Sequence, residues 1–181
     1  MPVLLSQAAK YAELVNSGCV YAAKSATCAA VVAVPTTASV MGVQNNNADG
    51  SGVNMVILAV GAIQIASPAS MTAMQIIVSP MLIKPATTYT GSITPVNLKP
   101  RSGAYAGLAI LDDTATVVDG GWFPIGPSAT NPLASTPGMG TWVQTDGLLV
   151  IPPGGAYAFH CMASTTAVTI QLALIWAEIN M

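Results

Sequence analysis

The stretch IPPGGAYAFHCMASTTAVTIQLALIW (Ile151–Trp176) decides the fold class. In its second half Val168, Ile170, Leu172, Leu174 and Trp176 alternate with Ala167, Thr169, Gln171, Ala173 and Ile175. A period of two is that of a strand, and the heavier set predicts the face turned to the core. Pro152-Pro153-Gly154-Gly155 is a strong turn signal that introduces a preceding strand, Ala156 to Met162. Met162 to Thr166 then reads as a hairpin connection between the two.

The same grammar runs upstream. Val53 to Ile65 (VNMVILAVGAIQI) is a long buried strand, opened by the turn-rich Asn45 to Gly52. Further strands are expected at Cys28 to Val34, Ser39 to Gln44, Gly103 to Leu111 and Thr141 to Ile151, the last bent at Gly147. Asp112-Asp113 should turn the chain towards Thr116-Val117-Val118. Met74 to Ile83 contains Pro80, which implies an edge position or a bulge. No βαβ alternation and no internal repeat interrupts this series. The expected fold is all-β, a sandwich or barrel in a single domain over residues 27–181, with an N-terminal arm or short helix over residues 1–26. In that first segment Leu5, Ala8, Ala9, Ala12 and Val15 share one helical face with Ser6 as N-cap; an extended arm on a neighbouring subunit is the other reading.

Composition points away from a free monomer. The 181 residues include five Lys or Arg and seven Asp or Glu, 7% charged against 52% hydrophobic, where soluble domains carry roughly 25% charged residues. Charges keep an exposed surface hydrated and its neighbours apart. A surface so poor in them is expected to be covered, by further copies or by a larger assembly. The lack of a basic cluster argues against nucleic acid as a partner. Polar residues such as Gln64, Ser67, Pro68 and Gln75 break the long uncharged stretch between Asp49 and Lys84, so a membrane span is not expected. The start lacks the charged and apolar regions of a signal peptide. A soluble protein made in a reducing cytoplasm is the expectation.

Tests for chemistry return little. Three cysteines (Cys19, Cys28, Cys161) show no CxxC spacing, so neither a disulfide framework nor a zinc site is expected. His160 and Cys161 are adjacent on one strand and so point to opposite faces, which prevents a dyad between them. Asp112-Asp113 reads as a turn rather than a calcium ligand pair. Glu178 reads as a solvated or subunit-bridging charge. No GxSxG and no phosphate loop is present. The expectation is no enzyme, no cofactor and no metal. The Gly/Pro-rich segment Gly120 to Gly140 (GGWFPIGPSATNPLASTPGMG) reads as a long connection bound to something. Trp122, Phe123 and Trp142 flank it as anchors for an interface, or as plugs for the open end of the sandwich. Tyr11 and Leu5 are the further interface candidates.

Three pieces of sequence carry a resemblance: YAELVNSGCVYAA (Tyr11–Ala23), NNNADGSGVNMVILAVGAI (Asn45–Ile63) and IPPGGAYAFHCMASTTAVTIQLALIWAEI (Ile151–Ile179). Together they resemble tailed-phage virion proteins of the jelly-roll cement or decoration type, and the ending looks like the closing hairpin of trimeric jelly-roll modules. The resemblance implies a single jelly-roll-like β-sandwich and a capsid cement subunit at the virion surface. It implies a homo-oligomer, a trimer, that binds the major capsid protein or another virion protein and bridges capsomers. It carries no functional residues over. The alternatives are a shell-forming capsid jelly roll and a head-fibre or tail-tip module that binds a receptor or glycan through Trp122 or Trp142.

Overall fold

The structure, a computed structural model, describes residues 11–36, 39–66, 72–81, 89–101, 104–115, 121–131 and 139–181. Residues 11–17 form a short helix, α1. Eleven strands follow: β1 (Val20–Lys24), β2 (Cys28–Ala29), β3 (Met41–Asn45), β4 (Val53–Ala66), β5 (Thr72–Met81), β6 (Val96–Asn97), β7 (Ala109–Asp112), β8 (Phe123–Asn131), β9 (Gly140–Ile151), β10 (Ala156–Ala163) and β11 (Thr169–Asn180). They make two antiparallel sheets. The first has the order β6-β1-β11-β4-β9 with β2 also on β11, and the second β7-β3-β10-β5-β8.

Eight of these strands nest in pairs. The first pairs with the last (β1 with β11), the second with the seventh (β3 with β10), the third with the sixth (β4 with β9) and the fourth with the fifth (β5 with β8). Nested pairing of this kind is the double Greek key of a jelly roll. The expected fold class is the observed one.

The core lies between the sheets, where the alternation of β11 meets that of β10. Val168, Ile170, Leu172, Leu174 and Trp176 are fully buried, and Phe159 and Cys161 face them from the second sheet. Tyr21 and Tyr105 close one end against Trp176, the two tyrosine rings meeting edge-on at 4.7 Å between centroids. Burying these side chains, at roughly 25 cal/mol per Å² of apolar surface, is the main favourable term for the sandwich.

Four expectations need correction. β10 and β11 are not a hairpin: β10 pairs β3 and β5, β11 pairs β1, β2 and β4, and the link between them crosses from sheet to sheet. The segment from Gly120 is not structureless, because Phe123 to Asn131 is the edge strand β8. Pro124 and Pro127 suit an edge, where an absent N–H leaves no ladder partner short. Val20 to Lys24 belongs to the sandwich as β1, so the first sheet begins before the boundary expected after residue 26. Of Cys28 to Val34 only β2 is strand, followed by a single bridge from Val31 to Met162.

Pro80 lies in β5 beyond Val78, the last residue that β8 pairs, so it sits where β5 is locally an edge. The expected bend at Gly147 is a bulge, with Asp146 and Gly147 both in the left-handed region (φ 47° and 85°). Thr116-Val117-Val118, Ser6 and Leu5 lie outside the described residues. No helix among the described residues is long and apolar enough to cross a membrane.

Candidate interaction surface

A phase change in β4 creates the most unusual surface. Met55 and Ile57 face the core, and so do Val60 and Ala62, so the inward register slips by one residue between them. Leu58 is the extra residue: Trp176 pairs with Ile57 and Ile175 with Ala59. Such a bulge reverses the facing of everything after it. It buries Gln64 and turns Ile63 and Ile65 outward, where they are 45% and 42% exposed.

One row of residues crosses this outer face at a single level. Lys24 pairs with Ala173, Ala173 with Gly61, and Gly61 with Trp142. The two middle positions are small and the two ends are long, so the row is a floor between walls. Trp142 lies on Gly61, where a Cβ would stand 2.4 Å from the indole Cε3. A side chain at this position would have to displace the indole. The indole nevertheless remains 50% exposed. The resulting hollow has a volume of ≈ 400 Å³, with Ile63 and Gln171 on its floor.

On the other side of Trp142, helix α1 rises from the same face. Tyr11, Leu14 and Val15 are half-buried, while Ala12, Glu13, Asn16 and Ser17 are exposed. A cavity of ≈ 200 Å³ between helix and sheet is lined by Tyr11, Val15, Leu58 and Trp142. The Tyr11 hydroxyl donates to Asp146 Oδ1 at 2.6 Å, which fastens the start of the helix to the β9 bulge. That hydrogen bond to the Asp146 carboxylate, with some burial, raises the Tyr11 hydroxyl above its ordinary pKa. Tyr11 and Trp142 are thus brought together.

Trp122 and Phe123 sit elsewhere, at the head of β8. Trp122 donates its indole N–H to the Pro35 carbonyl at 2.8 Å and packs with Tyr89 on Met81, Ala156 and Ala158. It covers the outer face of the second sheet from within the chain. Phe123 is exposed at the edge. Leu5 lies outside the described residues.

Asp112, Glu178 and His160 are occupied by structural bonds. Asp112 is buried and accepts from the amides of Thr90 and Thr114, both at 2.8 Å, and from the hydroxyls of Thr90, Thr114 and Ser92. Burial pushes its carboxyl up, but the Thr90 and Thr114 bonds outweigh it and hold the group well below its ordinary value. Glu178 is half-buried and bonded within its own chain. It accepts from Tyr105 Oη at 2.6 Å, Leu108 N at 2.8 Å, Ala109 N at 3.3 Å and Trp176 Nε1 at 3.2 Å. Burial, then the Glu178 contact, pushes the Tyr105 hydroxyl far above its ordinary range.

His160 is buried with Nδ1 accepting from the Cys161 amide at 2.8 Å, and burial lowers its pKa. Burial also pushes the thiols of Cys28 and Cys161 up, to about 11 and about 12, which makes them poor nucleophiles. Among the described residues no three His, Cys, Asp or Glu side chains group as a metal site.

Asn45 escaped the reading of the sequence beyond its membership of a turn. Its buried side chain donates to the carbonyls of Val53 (2.9 Å) and Ile151 (2.8 Å) and accepts from the Asn47 amide, tying β3 to β4 and β9. The run of three asparagines was the available signal.

No family model matches the chain, and no curated protein matches it. Among solved structures, a chain of the cryo-EM structure of Mud crab tombus-like virus is 13% identical, over 88% of this chain and 82% of that one, with a TM-score of 0.15. The two chains do not superpose at that score, and the fold description rests on strand order alone.

Proposed function

We propose that the chain is a structural subunit of a virus particle, a jelly-roll cement or decoration protein of the tailed-phage kind. It assembles with further copies, as a trimer, and binds the capsid lattice across capsomer junctions. Its role is cohesive and not enzymatic. Jelly rolls serve capsids, lectins and cupins alike, so topology by itself does not choose among them.

The observation that carries the reading is the outer face of the first sheet. Trp142, Ile63 and Ile65 stand open there on a protein with only 7% charged residues. Exposed apolar patches of this kind mark interaction sites. A half-exposed tryptophan is the side chain most enriched among binding hot spots. Each junction then gains from apolar burial, and many symmetric copies act together.

Attachment through apolar contact has little ionic attraction to screen. The protein should therefore stay on purified particles through a rise to about 1 M NaCl, where the screening length is ~3 Å, and leave them in mild detergent. Release by salt with retention in detergent contradicts the reading.

A further inference from the structure

We propose that two copies of this chain pair face to face through the outer side of the first sheet, the helix α1 of each seated in the Lys24–Trp142 hollow of the other. The inference rests on the assembly reading above and names the contact.

Ridge and hollow lie on one face with Trp142 between them, since Trp142 lines both the hollow and the cavity beneath the helix. A two-fold axis near Trp142 therefore carries each ridge onto the other copy's hollow, the self-complementarity an isologous contact demands. The row from Lys24 to Trp142 spans three strand spacings, about 14 Å between backbones at ~4.8 Å per spacing, and α1 lies across the strands in the same direction, with Tyr11 held at Asp146 of β9 and Val15 beside Val20 of β1. Ala173 on the floor is small, Ile63 and Gln171 line the hollow beside it, and three of the four exposed helix residues, Ala12, Asn16 and Ser17, are short.

Charge selects the occupant. Lys24 stands at one wall of the hollow and Glu13 on the crest of the helix, both exposed, and among the described residues neither side chain has a hydrogen-bond or ion-pair partner. The two-fold operation brings Glu13 of each copy to Lys24 of the other, two reciprocal pairs in one contact. The pairing leaves Phe123, Val32 and Leu108 exposed on other surfaces for contacts of different symmetry.

The test is a charge swap read by native mass in sedimentation at low micromolar concentration. Each single variant, Glu13→Lys or Lys24→Glu, opposes like charges at both pairs. Dissociation should rise at least about tenfold and the native mass should halve. The double variant restores both pairs with the signs exchanged and should recover the original mass. Both positions are exposed, so thermal melts of the variants should match the unaltered chain. Single variants that keep the native mass, or a double variant that fails to regain it, overturn the pairing while the assembly reading stands. An unaltered chain that sediments as one 18.3 kDa copy overturns both.

Discussion

Asn45 shows what one buried polar side chain does here. Its amide donates to the carbonyls of Val53 and Ile151, the second of these bonds being buried. Leaving a buried acceptor unpaired costs about 1–3 kcal/mol. Asn45→Ala should lower the urea midpoint by an amount worth about 2 kcal/mol or more; an unchanged midpoint contradicts this account of the residue. His160 and Asp112 set the acid limit in two stages. The folded pKa of His160 lies below its ordinary 6.5, so between the two the unfolded chain binds more protons. Stability is therefore complete above about pH 6.5 and declines below it. Asp112 is likewise depressed from 3.8, and its contribution is present above that pH and lost as the pH falls further. Melts from pH 7 down to 5 should show a decline that His160→Gln removes, and a steeper loss below pH 4 that it leaves in place. A flat profile from 7 to 5 in the unaltered chain contradicts the buried neutral imidazole.

At the scale of elements, legibility followed the strength of the local pattern. β11 was readable because five large apolar residues alternate without a break, and all five are buried. Leu174→Ala should cost about 2–5 kcal/mol through transfer and cavity terms, measured by denaturant unfolding; a loss under 1 kcal/mol means that β11 does not hold the core. β1 was hidden because VYAAK is short and sets one large core residue, Tyr21, beside the small Ala22 and Ala23, which carry little periodic signal. β8 was hidden because Pro and Gly mark loops and edge strands alike. The link after β10 looked like a hairpin because neighbours in sequence usually pair, and nothing local shows that it changes sheets. Trp142 stood out as a candidate, but the hollow beside it did not, since it depends on register across four strands and on one extra residue, Leu58. Gly61 belongs to that register. Gly61→Val places a Cβ against the indole, and because Trp142 is half exposed it can lift. Its emission should shift to the red while stability falls by only about 1–3 kcal/mol. An unshifted spectrum contradicts the stacking of Trp142 on Gly61.

The molecule as a whole combines an apolar interior that holds a few bonded polar groups with an under-charged exterior. Its buried carboxylate Asp112 and amide Asn45 are fully bonded, the first sheet leaves an apolar face open, and helix α1 covers part of it. Such a surface is costly in water and favourable in contact, which is why the account makes the chain a component rather than a free protein. The most direct measurement is the native mass of the purified chain by sedimentation, from micromolar to millimolar concentration. The account predicts a defined multiple of 18.3 kDa throughout. A single dispersed copy at every concentration would contradict it.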